Sequence, residues 1–447
     1  MNLVDKDLKY IWHPYTHQKL MPPPIPIAKA KGTLLFDETG KQYIDAISSW
    51  WVNLHGHAHP YIAKKIYKQA ETIEHVIFAG FTHKPAVNLA KKLLPLLPGK
   101  FKKIFYSDNG STAIEVALKM ALQFWANGSE KRTKIVALRH SYHGDTFGAM
   151  SVSSRSIFTR AFEDKLFEII FIDTPSHENI QQIKTQIEQH TNEIACFIYE
   201  PLLQGAGGMK MYDPYCLNEL LIFFKKNNII CIADEVLTGF YRTGKMFAGE
   251  FLKSTADIIC LSKGLTGGTM ALGVTACTQK IYDRFVSDDK TKTFYHGHSF
   301  TANPLACTAA LASLRLLQKK KCIKNINKII LRNKRFLTRL QNSKLNTRVK
   351  NLRQSGIVIA FEIITIATDN YLNSVSNSFS AFCLQRGVYL RSLGNTIYIM
   401  PPYCIKKKEL KKIYSVIQKF IKRYTEKELL PTENFNSNSI HNYSPQQ

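Results

Sequence analysis

The sequence contains no long apolar run and no recognisable leader. No hydrophobic stretch reaches the ~18 to 20 residues that a membrane-spanning helix needs. The first residues, MNLVDKDLKYIWHPYTHQK, have neither the apolar core nor the small-residue cleavage site of a signal peptide. We therefore expect a soluble protein that works in the cytoplasm and does not enter a membrane.

Metal-binding patterns are also missing. The nine cysteines are odd in number, and no two of them have the Cys-x-x-Cys spacing of a metal site. Most lie in apolar stretches, where a thiol behaves as a small hydrophobic side chain, so we expect them to be reduced and structural. The alternating His55, His57 and His59 have no acidic companion that would complete a zinc site, and no metal is predicted.

Acidic residues are scarce relative to basic ones. The chain has 60 Lys and Arg residues and 34 Asp and Glu residues, which gives a formal net charge of +26. Much of the excess lies between Lys319 and Arg353, where isoleucines and leucines recur between the charges as they do on an amphipathic surface helix. No nucleic-acid-binding motif accompanies the charge, so we interpret it as a solvated basic face and expect no nucleic-acid partner.

Short β-branched runs alternate with longer helical stretches through the middle of the chain. With 447 residues, 45% of them hydrophobic, the chain is long enough for one large core and a smaller one. This alternation predicts an α/β domain with a mostly parallel sheet covered on both faces. The predicted strands are residues 134–138, 194–199, 229–233, 258–261 and 273–277, and the predicted helices are 112–126, 179–190, 214–226 and 304–318.

The pattern changes after about residue 310, which indicates a second unit. A basic helix there leads into predicted strands at 357–363, 388–390 and 396–400 and a last helix at 407–423, the pattern of a small α+β domain. We divide the chain into an N-terminal segment (1–48) that contributes to the small domain and the active site, a large domain (49–310) and a C-terminal small domain (311–430). The polar, Asn- and Ser-rich residues 431–447 predict a disordered tail.

Two predicted strands end in side chains that can do chemistry together. Asp234 and Glu235 follow the apolar run 229–233, and Lys263 follows the run 258–261. Ligands of open α/β sheets bind at the carboxyl ends of the strands, so a carboxylate and an amine are expected at one crevice. Pyridoxal-phosphate (PLP) chemistry needs this pair, because the lysine forms an imine and the carboxylate keeps the pyridine nitrogen protonated.

Two further segments fit the same cofactor. Gly110 permits close backbone approach at the start of a predicted helix, and Ser111 adds a hydroxyl beside the free amides of its first turn. Together they predict a seat for the cofactor phosphate. Tyr142 follows the predicted strand 134–138 and offers a ring that could stack on the pyridine. Each signal is weak alone, since such residues usually cap helices or pack in cores.

Longer motifs identify a family resemblance. DEVLTGFYRTG at 234–244 and SKG at 262–264 resemble the signature of the class III, or ornithine-type, aminotransferases. Within that class the chain is similar to the adenosylmethionine–8-amino-7-oxononanoate aminotransferases from about residue 10 to residue 425. The specific segments are WHPYT at 12–16, SSWW at 48–51, YHGDTFGAMS at 142–151, QGAGGM at 204–209, LTGGT at 265–269 and YIMPPY at 398–403.

The resemblance implies a PLP-dependent transferase of fold type I and a role for each matching residue. Lys263 matches the Schiff-base lysine and Asp234 the partner of the pyridine nitrogen, so both are predicted to be catalytic. The other positions predicted to bind cofactor are Gly110, Ser111, Tyr142, His298 and Ser299. Those predicted to contact substrate, besides Tyr142 and Lys263, are Tyr15, Trp50, Arg242, Gly297 and Arg391.

The resemblance also implies a homodimer, because the segment YHGHSF at 295–300 matches one that reaches the phosphate of the neighbouring subunit. Ser299 stands where the family usually has threonine, so the hydroxyl is kept, whereas His298 replaces a familiar proline. Tyr241 and Leu237 are larger than the residues expected at their positions. All three larger side chains could change the shape of the pocket.

The implied reaction transfers the amino group of S-adenosylmethionine to 8-amino-7-oxononanoate and yields 7,8-diaminononanoate for biotin synthesis. Another class III aminotransferase, acting on ornithine, acylated ornithine or 4-aminobutyrate, is the alternative, and Trp50, Trp51 and the segment 12–16 argue against it. The alternative from a different functional class is a basic, non-catalytic protein that binds a polyanion. The presence of a complete set of matching residues argues against a non-catalytic protein. The set is Asp234, Lys263, Ser111 and Tyr142.

Overall fold

A computed structural model describes residues 1–365 and 371–424, so the predicted disordered tail at 431–447 lies outside the described residues. The strands, in chain order, are β1 (Ile27–Lys31), β2 (Leu34–Asp37), β3 (Gln42–Asp45), β4 (Phe101–Ser107), β5 (Lys134–Leu138), β6 (Ile169–Ile172), β7 (Ile194–Tyr199), β8 (Leu203–Gln204), β9 (Lys210–Met211), β10 (Ile230–Asp234), β11 (Ile258–Leu261), β12 (Gly273–Thr278), β13 (Val349–Ser355), β14 (Val358–Ile363), β15 (Val388–Tyr389) and β16 (Thr396–Ile399).

The helices lie between and around these strands. In chain order they are α1 (Leu3–Tyr10), α2 (Ser48–Trp51), α3 (Pro60–Ala70), α4 (Lys84–Leu93), α5 (Gly110–Ala126), α6 (Phe147–Val152), α7 (Ile180–Glu188), α8 (Pro214–Lys226), α9 (Gln279–Asp283), α10 (Pro304–Leu317), α11 (Lys320–Gln341), α12 (Val375–Gln385) and α13 (Lys407–Arg423). In the described residues, no helix has the length and apolar character to cross a bilayer.

The large sheet has the strand order β4-β12-β11-β10-β7-β5-β6. The pairs from β11 to β6 are parallel, whereas β12 is antiparallel to both of its neighbours. The prediction of a mostly parallel sheet is therefore confirmed. Every residue of β7 and of β10 is buried, as expected for central strands with helices on both faces, and this is why their sequences are apolar throughout.

The basic helix α11 is amphipathic, as predicted. Its apolar positions Ile326, Ile329, Phe336 and Leu340 are buried in the main core, and the lysines and arginines between them stay on the outer face. Burial of this face therefore accounts for the apolar residues that recur between the charges.

The N-terminal strands belong to the same sheet as a strand near the C-terminus. The four-stranded sheet has the order β1-β2-β3-β15, and β3 pairs in parallel with β15 through Ile44–Val388 and Asp45–Tyr389. This pairing places the segment after β3, which carries Trp50, beside the segment after β15, which carries Arg391. A separate three-stranded antiparallel sheet, β13-β14-β16, lies between α11 and α13 in the chain.

Candidate active site

A cavity of about 830 Å³ lies at the carboxyl edge of the large sheet. It contains most of the positions that the sequence singled out, although they come from segments hundreds of residues apart. The predicted residues that line it are Tyr15, Trp50, Gly110, Ser111, Tyr142, Asp234, Lys263 and Arg391.

Asp234 and Lys263 reach the cavity from neighbouring strands. Asp234 is the last residue of β10 and pairs in register with Cys260 of β11, and Lys263 follows two residues after that strand ends. Lys263 has a φ of 42°, a strained conformation for a side chain-bearing residue. Burial lowers the pKa of its amine, although the negative charges of Asp234 and Glu200 work in the opposite direction.

The Asp234 carboxylate is held from two sides. Its Oδ2 lies 2.7 Å from Nδ1 of His143, and its Oδ1 accepts a hydrogen bond from the Val236 N–H at 3.0 Å. Asp234 and His143 are both buried. The other ring nitrogen of His143, Nε2, is buried without a hydrogen-bond partner among the described residues. Sequence analysis missed His143, although it adjoins Tyr142 in the same motif.

Helix α5 points its N-terminus at the cavity. The side chain of Asn109 caps the helix by accepting a hydrogen bond from the Thr112 N–H at 2.9 Å, which leaves the amides of Gly110 and Ser111 facing the cavity mouth. Position 110 must be glycine because a Cβ there would lie 2.8 Å from a methyl carbon of Val236. The helix terminus at Gly110 and Ser111 thus has the free amides and the close backbone approach that an anion seat needs.

Three oxygen-bearing side chains form one wall of the cavity. The hydroxyls of Tyr15 and Tyr142 are 3.1 Å apart, and the Tyr15 hydroxyl donates to the carboxylate of Asp145 at 2.6 to 2.7 Å. Burial, followed by hydrogen bonding to its neighbours, raises the pKa of both tyrosines well above the usual value. Both hydroxyls therefore stay protonated at neutral pH. Asp145 was not predicted, although it too belongs to the motif at 142–151.

Glu200 is a further buried acid that sequence analysis missed. Its carboxylate accepts hydrogen bonds from the N–H groups of Tyr142 at 3.0 Å and Gly205 at 2.9 Å. Burial raises its pKa to about 7, against the lowering effect of His143. Glu200 follows β7, the strand next to β10, so the strand-end argument that found Asp234 applied equally to it.

Arg391 projects over Trp50 on the opposite side of the cavity. Its guanidinium lies 5.3 Å from the Trp50 ring centre and donates to the Tyr371 hydroxyl at 2.9 Å and to the Tyr15 carbonyl at 3.4 Å. Both acceptors are uncharged, so in the described part of the chain the cation is oriented but not neutralised. An arginine in this state can take a carboxylate with its planar fork.

Arg242, which was expected to be a second pocket arginine, is not among the residues that line the cavity. It is fully buried and donates to the Trp51 carbonyl at 3.0 Å, the Ser48 hydroxyl at 3.3 Å and the Pro401 carbonyl at 3.5 Å. Ser48, Ser49 and Trp51 all have positive φ values, of 56°, 59° and 67°. The guanidinium therefore stabilises this strained turn by donating hydrogen bonds to its Trp51 carbonyl and its Ser48 hydroxyl.

The remaining predicted residues, Gly297, His298 and Ser299, do not line this chain's cavity. They lie in the exposed segment before α10, where the His298 N–H donates to the Thr301 hydroxyl at 3.1 Å. Glu235, the second acid after β10, also points away and accepts hydrogen bonds from the Ala248 and Gly249 N–H groups. Of the two neighbouring acids, only Asp234 faces the cavity.

The cavity fits PLP by the chemistry of its donor set. It offers a buried amine on Lys263, a buried carboxylate on Asp234, the free helix terminus at Gly110 and Ser111, and an aromatic ring on Tyr142. These are the groups that an aldehyde, a pyridine nitrogen, a phosphate and a flat ring would each need. Residues 1–365 and 371–424 contain no group of three or more His, Cys, Asp or Glu side chains suited to a metal ion.

Known proteins share this architecture over most of the chain. The family model of the class-III aminotransferases matches residues 15–421. The adenosylmethionine-8-amino-7-oxononanoate aminotransferase of Synechococcus elongatus is 44% identical, over 91% of this chain and 97% of that protein. The crystal structure of the protein of that name from Methanocaldococcus jannaschii has a TM-score of 0.89 at 35% identity, over 94% and 98% of the two chains. A PLP-bound amine transaminase from an uncultivated Pseudomonas species has a TM-score of 0.86 at 27% identity, over 93% and 98%.

Proposed function

This chain belongs to the class III aminotransferases, and we propose that it transfers the amino group of S-adenosylmethionine to 8-amino-7-oxononanoate, giving 7,8-diaminononanoate for biotin synthesis. The chain is a PLP-dependent enzyme with the fold type I architecture of its family. The observation that carries the choice of substrates is the similarity to the Synechococcus elongatus enzyme over nearly the full length of both chains.

The residues of the cavity divide the work of such a reaction. When bound, PLP supplies a carbonyl that takes up an amino group and a ring that delocalises an electron pair. Lys263 moves the proton at the reacting carbon with its Nζ, whose lowered pKa favours a free amine. Asp234, oriented by His143, would keep a proton on the pyridine nitrogen. The amides of Gly110 and Ser111 would hold the phosphate, and Tyr142 would pack on the ring.

Both substrates carry charges that the cavity walls can match. The carboxylate of 8-amino-7-oxononanoate stands several carbons from the reacting ketone. Arg391 lies across the cavity from the sheet edge, and its fork has no charged partner within residues 1–365 and 371–424. Asp145, with the hydroxyls of Tyr15 and Tyr142, forms a wall that accepts an ammonium group. Trp50 supplies apolar surface for the chain between the two charges.

We also propose a homodimer in which Gly297, His298 and Ser299 complete the partner's site. Exposed apolar side chains in two adjoining segments support this. They are Ile77 (58% exposed) and Phe81 (64%) in one segment and Tyr295 (72%) and Phe300 (63%) in the other, and the two segments meet where Phe300 packs on His75. Apolar surface of this kind marks an interface. The nine free cysteines support a reducing compartment and hence a cytoplasmic location.

A donor comparison tests the proposed reaction. Purified, PLP-loaded protein is given 8-amino-7-oxononanoate with S-adenosylmethionine, ornithine, acetylornithine or 4-aminobutyrate in turn, and 7,8-diaminononanoate is measured. We expect product with S-adenosylmethionine and none with the other three donors. Efficient turnover of ornithine, acetylornithine or 4-aminobutyrate with a keto acid, in place of this reaction, would assign the chain to another branch of class III.

A further inference from the structure

A second cavity of about 430 Å³ adjoins the main one. The two cavities have six lining residues in common. The shared residues are Tyr142, Gly144, Asp145, Phe158, Ala206 and Tyr371. The sequence predicted none of this space, because Phe158 and Tyr371 come from separate loops and meet only in the fold.

The boundary between the cavities is a cluster of aromatic rings around Phe158. The Phe158 ring centre lies 4.7 Å from that of Tyr371, 5.5 Å from Tyr15 and 6.3 Å from Tyr142. The carboxylate of Asp145 joins this cluster through its hydrogen bonds with the Tyr15 hydroxyl. Aromatic rings around one carboxylate form an environment that attracts onium cations, since both the ring faces and the carboxylate carry negative potential.

Polar and apolar side chains together line the second cavity beyond this boundary. Hydroxyls of Ser154, Ser156 and Thr159 and the imidazole of His140 line it, and Met150 and Ile157 supply flat apolar surface. The guanidinium of Arg155 also lines it, but this group donates to the carbonyls of Ser151 and Phe167 and interacts with the negative charge of Glu163. A hydroxylated, uncharged heterocycle suits such walls better than an acyl chain with a terminal carboxylate, which finds its cation on Arg391.

We propose that the second cavity is the subsite for the nucleoside end of the amino donor, with the sulfonium centre seated at the aromatic boundary around Phe158. This inference rests on the proposed function, because it takes S-adenosylmethionine as the donor. The acceptor and its product occupy the main cavity alone. Donor selectivity therefore depends in part on residues that line only the second cavity, such as Ser154 and Ile157.

Filling the second cavity tests the subsite. Ser154 lines the second cavity and not the main one, so Ser154→Phe adds bulk there without touching Lys263 or Asp234. The PLP-loaded enzyme is mixed with S-adenosylmethionine or with 7,8-diaminononanoate, which donates the same amino group in the reverse direction, and the loss of the cofactor absorbance is followed. We expect the apparent Kd for S-adenosylmethionine to rise by about tenfold or more and that for 7,8-diaminononanoate to stay unchanged.

Two variants and one binding measurement complete the design. Ile157→Trp narrows the same cavity from an exposed position (47% exposed) and serves if Ser154→Phe does not fold. Ser287→Phe, at an exposed position outside both cavities, is the matched control and should behave as wild type. Equilibrium dialysis of 5′-methylthioadenosine against the PLP-loaded enzyme should show binding to wild type and to the control, and binding weakened to a similar degree in both cavity variants.

The possible results separate the two proposals. Equal losses for both amino donors, or no loss for either, overturn the subsite while the proposed reaction stands. A wild-type enzyme that accepts 7,8-diaminononanoate but not S-adenosylmethionine refutes the donor in the proposed function, and the subsite falls with it. A loss confined to S-adenosylmethionine and the nucleoside probe supports both.

Discussion

Replacing Arg391 with alanine should impair the acceptor half-reaction more than the donor half-reaction. The guanidinium lies over Trp50 and is oriented by the Tyr371 hydroxyl and the Tyr15 carbonyl. Neither oxygen neutralises it, so a substrate carboxylate is its natural ionic partner. The carboxylate of 8-amino-7-oxononanoate is remote from the reacting carbon and needs a cation on the far side of the cavity.

The size of the effect follows from the hydrogen bonds that would be lost. A hydrogen bond to a charged group contributes roughly 1.5 to 3 kcal/mol, and a guanidinium grips a carboxylate with two. Arg391 is partly accessible, so solvent screening reduces the sum to about 2 to 4 kcal/mol. That range corresponds to a loss of acceptor affinity of about 30- to 700-fold.

Single-turnover kinetics of each half-reaction is the appropriate assay. Arg391→Lys keeps the charge without the fork and should recover only part of the affinity. Tyr371→Phe removes one orienting hydroxyl but keeps the ring against Phe158, so its effect should be smaller than that of the alanine variant. A loss of affinity confined to S-adenosylmethionine would refute the reasoning and assign Arg391 to the donor carboxylate.

Four other changes test the remaining assignments. Lys263→Ala should abolish turnover and leave the fold intact, as judged by activity and circular dichroism; wild-type activity would show that Lys263 is not the catalytic lysine. Asp234→Asn should retain PLP but lower kcat by orders of magnitude, because the pyridine nitrogen loses its counter-charge, and near-normal rates would exclude that role. Ser299→Ala should speed the loss of PLP on dialysis, and a fully active monomer in sedimentation would contradict the shared site. Burial lowers the pKa of His55 to about 3, so the unfolded chain takes up a proton below pH 6.5 that the folded chain does not. Stability should therefore fall as pH decreases from 6.5 to 5, and His55→Asn should reduce this slope by up to about 1.4 kcal/mol per pH unit in urea titrations; an unchanged slope would mean that His55 is protonated in the folded state.

Local sequence was sufficient to predict the large sheet and much of its cofactor face. The strands β5, β7, β10, β11 and β12 were found because strands buried on both faces are apolar along their whole length. Asp234 and Lys263 were found because a charged residue directly after such a strand lies at the edge where ligands bind. Gly110 and Ser111 were found because helix N-termini have a recognisable local pattern.

Other features depended on contacts between segments distant in the chain. Nothing local distinguishes Asp234 from Glu235, and only the direction of each side chain at the end of β10 assigns one to the cavity and the other to the amides at 248 and 249. Its motif predicted that Arg242 would be a pocket residue. In the structure its guanidinium donates hydrogen bonds to Ser48 and Trp51 in the strained turn at 48–51, which lies 191 to 194 residues away in the chain.

The sequence by itself therefore determined the fold class, the family and the placing of Asp234 and Lys263 at one cavity, because periodicity, strand ends and motifs are local properties. The tertiary structure alone decided how the pocket is shaped. The pairing of β3 with β15 brings Trp50 beside Arg391, and the meeting of Phe158 with Tyr371 divides the space into two cavities. Such contacts depend on the summed packing of the whole chain, and no short segment of the sequence encodes them.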